Sequence, residues 1–304
     1  MLDLSHIPNS QQDIKIFYAN SGSFGYQTWQ KPRKCNFVYI LSIDGGGGGA
    51  GGVVAVGPGA QINSTGGGSG AVTRALIDSK FVPDTLYIKV GRGGKGGAAV
   101  TVNYTPGNNG EASGVFASSR LSSQALANAS FSFLGGYTPA VGGALAASAG
   151  ALATVAGSSY QSLLTTFTSI AGVSSATIVT TAPVDIQPLA SQIVTAGCGG
   201  APVTSGSAFN GGSINSSSFS PRIAGGIGDA ALGTDGSNGF TSWKPFFSTG
   251  GAGGGNAHTS GGVAGKGGKG GIGSGGGAGG GAALGATSGA GGDGGDGIVI
   301  IISF

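Results

Sequence analysis

Charge is scarce in this chain. Only 8% of its 304 residues are Asp, Glu, Lys or Arg, against roughly a quarter in ordinary soluble domains, which excludes disorder driven by self-repulsion. A nucleic-acid surface needs many cations set along one face to neutralise phosphates. Here the net charge is +3, and the dense basic group is Lys31, Arg33 and Lys34, with no stripe following it. Nucleic acid is therefore not an expected partner. Cysteine is nearly absent: Cys35 and Cys198 stand far apart and outside any C-x-x-C pair. Neither a disulfide framework nor a zinc site is expected, and both read as buried free thiols. Residues 1–15 lack both a basic start and an apolar stretch, so no signal peptide is expected. Work outside the cell would then follow release by lysis of a host. No membrane span is expected either. Residues 141–156 are long and uncharged, but Ala, Gly and Ser gain little from entering lipid.

What the chain has instead is glycine, 68 residues of it. A residue without a side chain buries little apolar surface, so stability has to come from backbone packing. Apolar runs nonetheless punctuate the glycine, and they are too hydrophobic to stay solvated. Strand signals fall at 14–18, 37–43, 76–81 and 86–90, with turns at Asn20-Ser-Gly22, Gly57-Pro-Gly59 and Val82-Pro-Asp84. Residues 98–104 also read as strand. The closing run Ile298-Val-Ile-Ile-Ile-Ser-Phe304 is short, β-branched and almost wholly apolar, which predicts a buried strand beside 37–43.

Three parts follow: residues 1–116, the N-terminal part of a glycine-rich β domain; 117–196, an Ala/Ser/Thr-rich insertion; and 197–304, a glycine-rich part that closes the same domain with strand 298–304. In the insertion, the spacing of Leu145, Ala149, Leu152 and Ala156 suits a helix face, and 177–181 suits a strand. Its uncharged stretch, 121–184, suggests contacts between copies of the chain, with Tyr137 and Tyr160 as candidates. The fold class is mostly β: sandwich-like strands, glycine-rich polyproline-II-like segments and this helical insertion.

Collagen would need glycine at every third position and abundant proline, whereas 250–297 has no proline and its glycines follow no strict period on inspection. Two readings of the glycine tracts stay open. One is flexible loops. The other is a bundle of extended left-handed segments whose backbones approach closely, pairing N–H with C=O and adding weak Cα–H contacts. Because glycine loses the most freedom on folding, such a bundle would need apolar strands clamping both its ends.

An ordered set of blocks resembles the glycine-rich domain of phage virion proteins: an aromatic N-terminal strand, a turn at Trp29-Gln-Lys-Pro32, and an apolar strand entering Gly45-Gly-Gly-Gly-Gly49. The block Leu86-Tyr-Ile-Lys-Val-Gly-Arg-Gly-Gly-Lys-Gly-Gly97 and the closing Gly-Asp-Gly-Gly-Asp-Gly run before 298–304 belong to the same set. Tail fibres, head fibres, capsid spikes and polyglycine-sandwich adhesins are similar in this respect. The resemblance covers about 14–116 and 197–304; the insertion departs from it. It implies a virion-surface structural role, often in host attachment. The implied partners are copies of the chain, other virion proteins, and a host surface glycan or outer-membrane protein. The alternative is a secreted glycine-rich binding protein of ice-binding or calcium-dependent adhesive type.

Motifs of catalysis and cofactor binding carry little. Gly91-Arg-Gly-Gly-Lys-Gly96 fits G-x-G-x-x-G, but no helix follows to hold a pyrophosphate. Gly291–Val299 fits one nine-residue calcium repeat, a site that needs successive coils. Asp293 and Asp296 are thus weak metal candidates that more readily solvate a turn. His6 and His258 have no triad around them, and the 11 acids are scattered. No enzyme and no cofactor are expected. For receptor binding the candidates are Trp243, Lys244, Phe246 and Phe247, which offer aromatic faces and a cation if exposed, and a plug for the glycine body if not.

Overall fold

A computed structural model describes residues 13–20, 26–55, 64–117, 132–135, 140, 142–143, 185–186, 188, 193–203 and 206–304. The fold is mostly β, with all strand pairs antiparallel. The strands are β1 (Asp13–Tyr18), β2 (Gln27–Gln30), β3 (Phe37–Ile43), β4 (Val72–Asp78), β5 (Thr85–Lys89), β6 (Gly114–Phe116), β7 (Ser132–Gly135), β8 (Thr241–Trp243), β9 (Phe246–Ser248) and β10 (Ile298–Ser303). One sheet has the order β1-β10-β3-β4 and a second β2-β5-β6-β7, while β8 and β9 form a separate hairpin.

The two four-stranded sheets enclose a core built from alternate residues of facing strands: Val38 and Ile40, Val299 and Ile301, Leu86 and Ile88, with Trp29 and Val115. The other faces of β3 and β10 are apolar too. Leu41, Ile43 and Ile298 pack with Val72, Ile193 and Val194, and Phe246 and Ile272 rest against them. Burial on both faces explains why 37–43 and 298–304 read as unbroken hydrophobic runs. β10 does lie beside β3, with Ile300 opposite Leu41.

The strand expected at 76–81 sits earlier, as Val72–Asp78. Residues Ser79–Phe81 turn instead into a short 3₁₀ helix capped by Asp78, whose carboxylate accepts the Lys80 amide at 3.0 Å. Trp29 is a buried strand residue rather than part of a turn, and the chain reverses at Arg33 and Lys34, the latter at φ 70°. Residues 98–104 form bends, not a strand. Of the 117–196 part, β7 pairs with β6, and Gly143 joins the glycine body. The helix expected at 145–156 and the strand at 177–181 lie outside the described residues. Among the described residues no helix is long and apolar enough to cross a membrane.

The glycine tracts are ordered by hydrogen bonds that rotate with a period of three. Starting at Gly45, successive amides of segment 44–55 donate to the carbonyls of Glu111, Gly295, Gly68, Asn108, Gly292, Thr65, Thr105 and Gly289, at 2.8–3.1 Å. Three neighbouring segments are thus addressed in turn, as a helix with three residues per turn requires. Its carbonyls accept from three others: Gly46 from Gly94, Gly47 from Gly276 and Gly48 from Gly143. Segment 274–282 repeats the rotation, donating to Thr195, Gly47, Gly268, Cys198, Ala50, Gly265, Ala201 and Val53. The flexible-loop reading of the tracts is excluded for these segments, since their buried amides are paired.

Glycine spacing follows each segment's place in the bundle. Segments 44–55 and 274–282 are buried throughout and carry no large side chain before Val53. Surface segments place two glycines inward and one residue outward: Arg92, Lys95 and Ala98; Lys266 and Lys269; Ala290, Asp293 and Asp296. Segment 233–239, more exposed still, keeps single glycines at 233, 236 and 239. A period of three is therefore present after all, masked because its glycine content changes from layer to layer.

The apolar strands do not clamp both ends. β3 runs into 44–55, β5 runs into 91–97, and β4, β6 and β10 are each entered from a glycine segment, so the sandwich stands at one end. Bonds such as Asp44 N–H to Ala71 and Gly297 N–H to Gly91 tie these junctions together. The opposite end is closed by a small cluster of Val54, Ala257, Ala264, Ala282 and Ala286.

Two expectations follow. A Cβ on Gly49 would sit 2.0 Å from the Gly277 carbonyl oxygen, and neither backbone has room to yield. Gly49→Ala should therefore lose about 3 kcal/mol or more in chemical denaturation, whereas the outward Lys266→Ala should change stability by less than about 0.5 kcal/mol. The second concerns Asp44, buried at the junction of β3 with the bundle. One carboxyl oxygen accepts the Ser113 amide at 2.7 Å and the other has no partner. Burial pushes its pKa up from 3.8 to about 7, against the pull of the Ser113 amide. A carboxyl raised on folding supplies stability that is complete below its unfolded value and lost as pH rises through the folded one. Denaturation should then show about 3 kcal/mol less stability at pH 8 than at pH 5 from this group, and Asp44→Asn should flatten that slope.

Candidate binding site

Side chains reach the surface only where a segment lacks a neighbour, and there Asp and Asn replace the missing carbonyl acceptors. Asp235 accepts the Lys266 amide at 2.7 Å and Asn238 the Lys269 amide at 2.9 Å. Asp296 accepts the Gly93 amide at 2.8 Å, and Asp293 accepts the Gly96 amide at 3.0 Å and the Lys95 ammonium at 2.9 Å. Partial burial opposes ionisation of Asp293, but the Gly96 amide and the Lys95 ammonium outweigh it and hold its carboxyl below the ordinary range. The weak metal candidates Asp293 and Asp296 thus act as braces between surface segments, rather than solvating a turn. Among the described residues no group of three or more His, Cys, Asp or Glu side chains is placed to hold a metal ion. The same bonds occupy the Gly93 and Gly96 amides of the G-x-G-x-x-G match. A phosphate would have to displace two carboxylates to use them.

The candidates around Trp243 lie together on the β8–β9 hairpin but face different ways. Thr241 pairs with Ser248, Ser242 with Phe247 and Trp243 with Phe246. Phe246 packs beneath β3 and β10 and plugs the seam between sandwich and bundle, while Phe247, the next residue of the strand and 4% exposed, is buried on the hairpin's other face. Trp243 is 46% exposed and meets Phe246 edge-on at 5.6 Å. Lys244 is exposed at the turn. Packing and contact roles are thus divided within one hairpin.

Beside this hairpin lies a cleft of about 460 Å³, lined by Tyr18, Thr241, Trp243, Ile272, Asp296 and backbone of glycines from 270–271 and 295–297. Tyr18 closes β1 and is 53% exposed. Thr241 is fixed in place, its hydroxyl 3.0 Å from that of Ser248 and accepting the Ile272 amide at 3.2 Å. Of the remaining sequence candidates, Cys198 is fully buried, with burial pushing its thiol up to about 12, and Cys35 is partly buried; both are free. The buried Nδ1 of His258 has no hydrogen-bond partner. His6, Tyr137 and Tyr160 lie outside the described residues.

Two features escaped sequence reading. The Asp and Asn braces have a signal, since 235 and 238, like 293 and 296, are spaced by one turn of a threefold helix. The placing of Tyr18 and Trp243 along one cleft has none, because only the assembled fold brings the end of β1 to the hairpin.

Comparison with known proteins places this geometry in a family. A family model described as a glycine-rich domain matches residues 19–303, a span that takes in β2 to β10 and the whole bundle. No curated protein matches the chain.

The division within the hairpin is measurable. Phe247→Ala should cost about 3 kcal/mol, as a large side chain removed from a core does. Trp243→Ala should cost less than about 1 kcal/mol, being half solvated. Urea denaturation of both variants checks this, and equal losses would assign Trp243 to packing.

Proposed function

The chain belongs to the glycine-rich domain family, and from that premise we propose that it is a structural protein of a phage virion surface, a fibre, spike or decoration that contributes to host attachment and performs no catalysis. The observation that carries the reading is the bundle itself. The amides of residues 45–52 and 275–282 each donate to another segment, which suits a rigid body that must survive outside a cell. Such a body holds few internal side chains and displays its chemistry on turns and outward rows. That arrangement fits presentation of a surface better than construction of a reactive interior.

The resemblance to tail fibres, head fibres, spikes and polyglycine-sandwich adhesins supports a place on the particle exterior. The protein would be made in the host cytoplasm and released by lysis. Its partners would be copies of itself, other virion proteins and a host surface glycan or outer-membrane protein.

Mass spectrometry of purified particles should find the chain at a level comparable with other structural proteins. Limited proteolysis of the intact particle should leave 44–55 and 274–282 uncut. Absence from purified particles would overturn the proposal.

A further inference from the structure

The cleft at the seam has the chemistry of a sugar site. Two large aromatic side chains, Tyr18 and Trp243, line it while remaining about half exposed. Large aromatics left in water contribute little to folding and much to contact. Between them the lining is glycine backbone, which lets a flat ligand approach more closely than any side chain would. The polar groups are few and fixed. Thr241 is held by Ser248 and the Ile272 amide, and Asp296 is anchored through the Gly93 amide. Asp296 bonds that amide through one oxygen, and its second oxygen takes no hydrogen bond from the described residues.

We propose that this cleft binds a neutral pyranose unit of a surface glycan. A pyranose ring presents a face of C–H groups, which packs on an aromatic plane, and an edge of hydroxyl donors, which a carboxylate accepts. Small-ligand sites in general combine an apolar lining with a few well-placed polar groups in some 300–1,000 Å³, and this cleft of about 460 Å³ does so. Among the described lining residues there is one carboxylate and no cation, a balance that discriminates against uronic acids and phosphorylated sugars. A like charge would have to approach Asp296, and the Lys95 ammonium that acts on that carboxylate is already paired with Asp293 at 2.9 Å.

The glycan's source, a host surface, rests on the attachment reading, but the binding itself does not. The test uses the full purified chain with five neutral probes: the methyl glycosides of glucose, galactose and N-acetylglucosamine, with maltotriose and chitotriose. Methyl glucuronide is the charged counterpart. Saturation-transfer NMR and tryptophan fluorescence report binding, and since Trp29 is buried in the sandwich, Trp243→Phe should remove most of the fluorescence response. At least one neutral probe should bind saturably. Trp243→Ala and Tyr18→Ala should each weaken it about tenfold or more. Asp296→Asn keeps an oxygen for the Gly93 amide, so it should leave the unfolding midpoint unchanged while weakening the sugar. Saturation by no neutral probe, undiminished binding by Trp243→Ala, or equal affinity for the glucuronide would each overturn the proposal. Particles that contain the chain while the chain binds no sugar would sink the cleft alone. Sugar binding by a chain missing from particles would sink the virion reading alone.

Discussion

The structure depends on one close approach, that of a carbonyl oxygen to the α-carbon of a glycine in the next segment. At Gly49 and Gly277 a side-chain carbon would lie 2.0 Å from an opposing carbonyl, so the interior admits hydrogen where other proteins place methyl groups. Only at that separation can successive amides reach different neighbours in rotation. The approach also sets the energetics. Ordering a residue's backbone costs about 1–2 kcal/mol, and a net hydrogen bond returns about 0.5–1.5 kcal/mol. Weak Cα–H contacts add about 0.5–1 kcal/mol each. A glycine bundle therefore sits close to balance by itself, and the apolar sandwich decides the outcome.

That dependence explains why strands and segments are continuous. β3 ends at Ile43 and the rotation begins at Gly45, with Asp44 donating its amide to Ala71 and accepting that of Ser113. A slip of one residue in a β-strand sends every side chain to the wrong face. A slip of one residue in a threefold helix sends every donor to the wrong neighbour. The sandwich core, with Ile40 and Ile301 on one face of the central strands and Leu41 and Ile298 on the other, fixes strand register and passes it into the bundle. The seam is thus where both periods, two and three, must agree.

Much of the sandwich was legible because its strands are apolar in the ordinary way, and β10 beside β3 followed from two runs needing burial on both faces. β4 was misplaced because Val72 and Thr73 follow glycine and resemble bundle, while Asp78 offers a cap that diverts the chain after it. Residues 98–104 alternate like a strand, yet they occupy a turn between segments 91–97 and 105–113, where Asn103 adopts φ 62° and no sheet edge is at hand. The threefold order of the glycines was hidden for a geometric reason. Buried, surface and edge segments need different numbers of glycines per turn, so a single period search mixes three patterns. The cleft was not legible at all, since its walls come from opposite ends of the chain.

A body whose interior excludes side chains has to place its chemistry elsewhere, and the positions left are few in kind. Outward rows recur every third residue and are partly used up by the Asp and Asn braces that stitch adjacent segments. Their geometry is regular and flat, with nothing to enclose a ligand. Concavity needs a break in regularity, and the seam supplies one, because a sandwich thick with Ile and Val side chains meets a bundle of bare backbone. The step between the two thicknesses is bridged on one side by Phe246, and beside that bridge the cleft opens. The same mismatch that requires an aromatic plug therefore creates the recess in which Tyr18 and Trp243 stand half exposed.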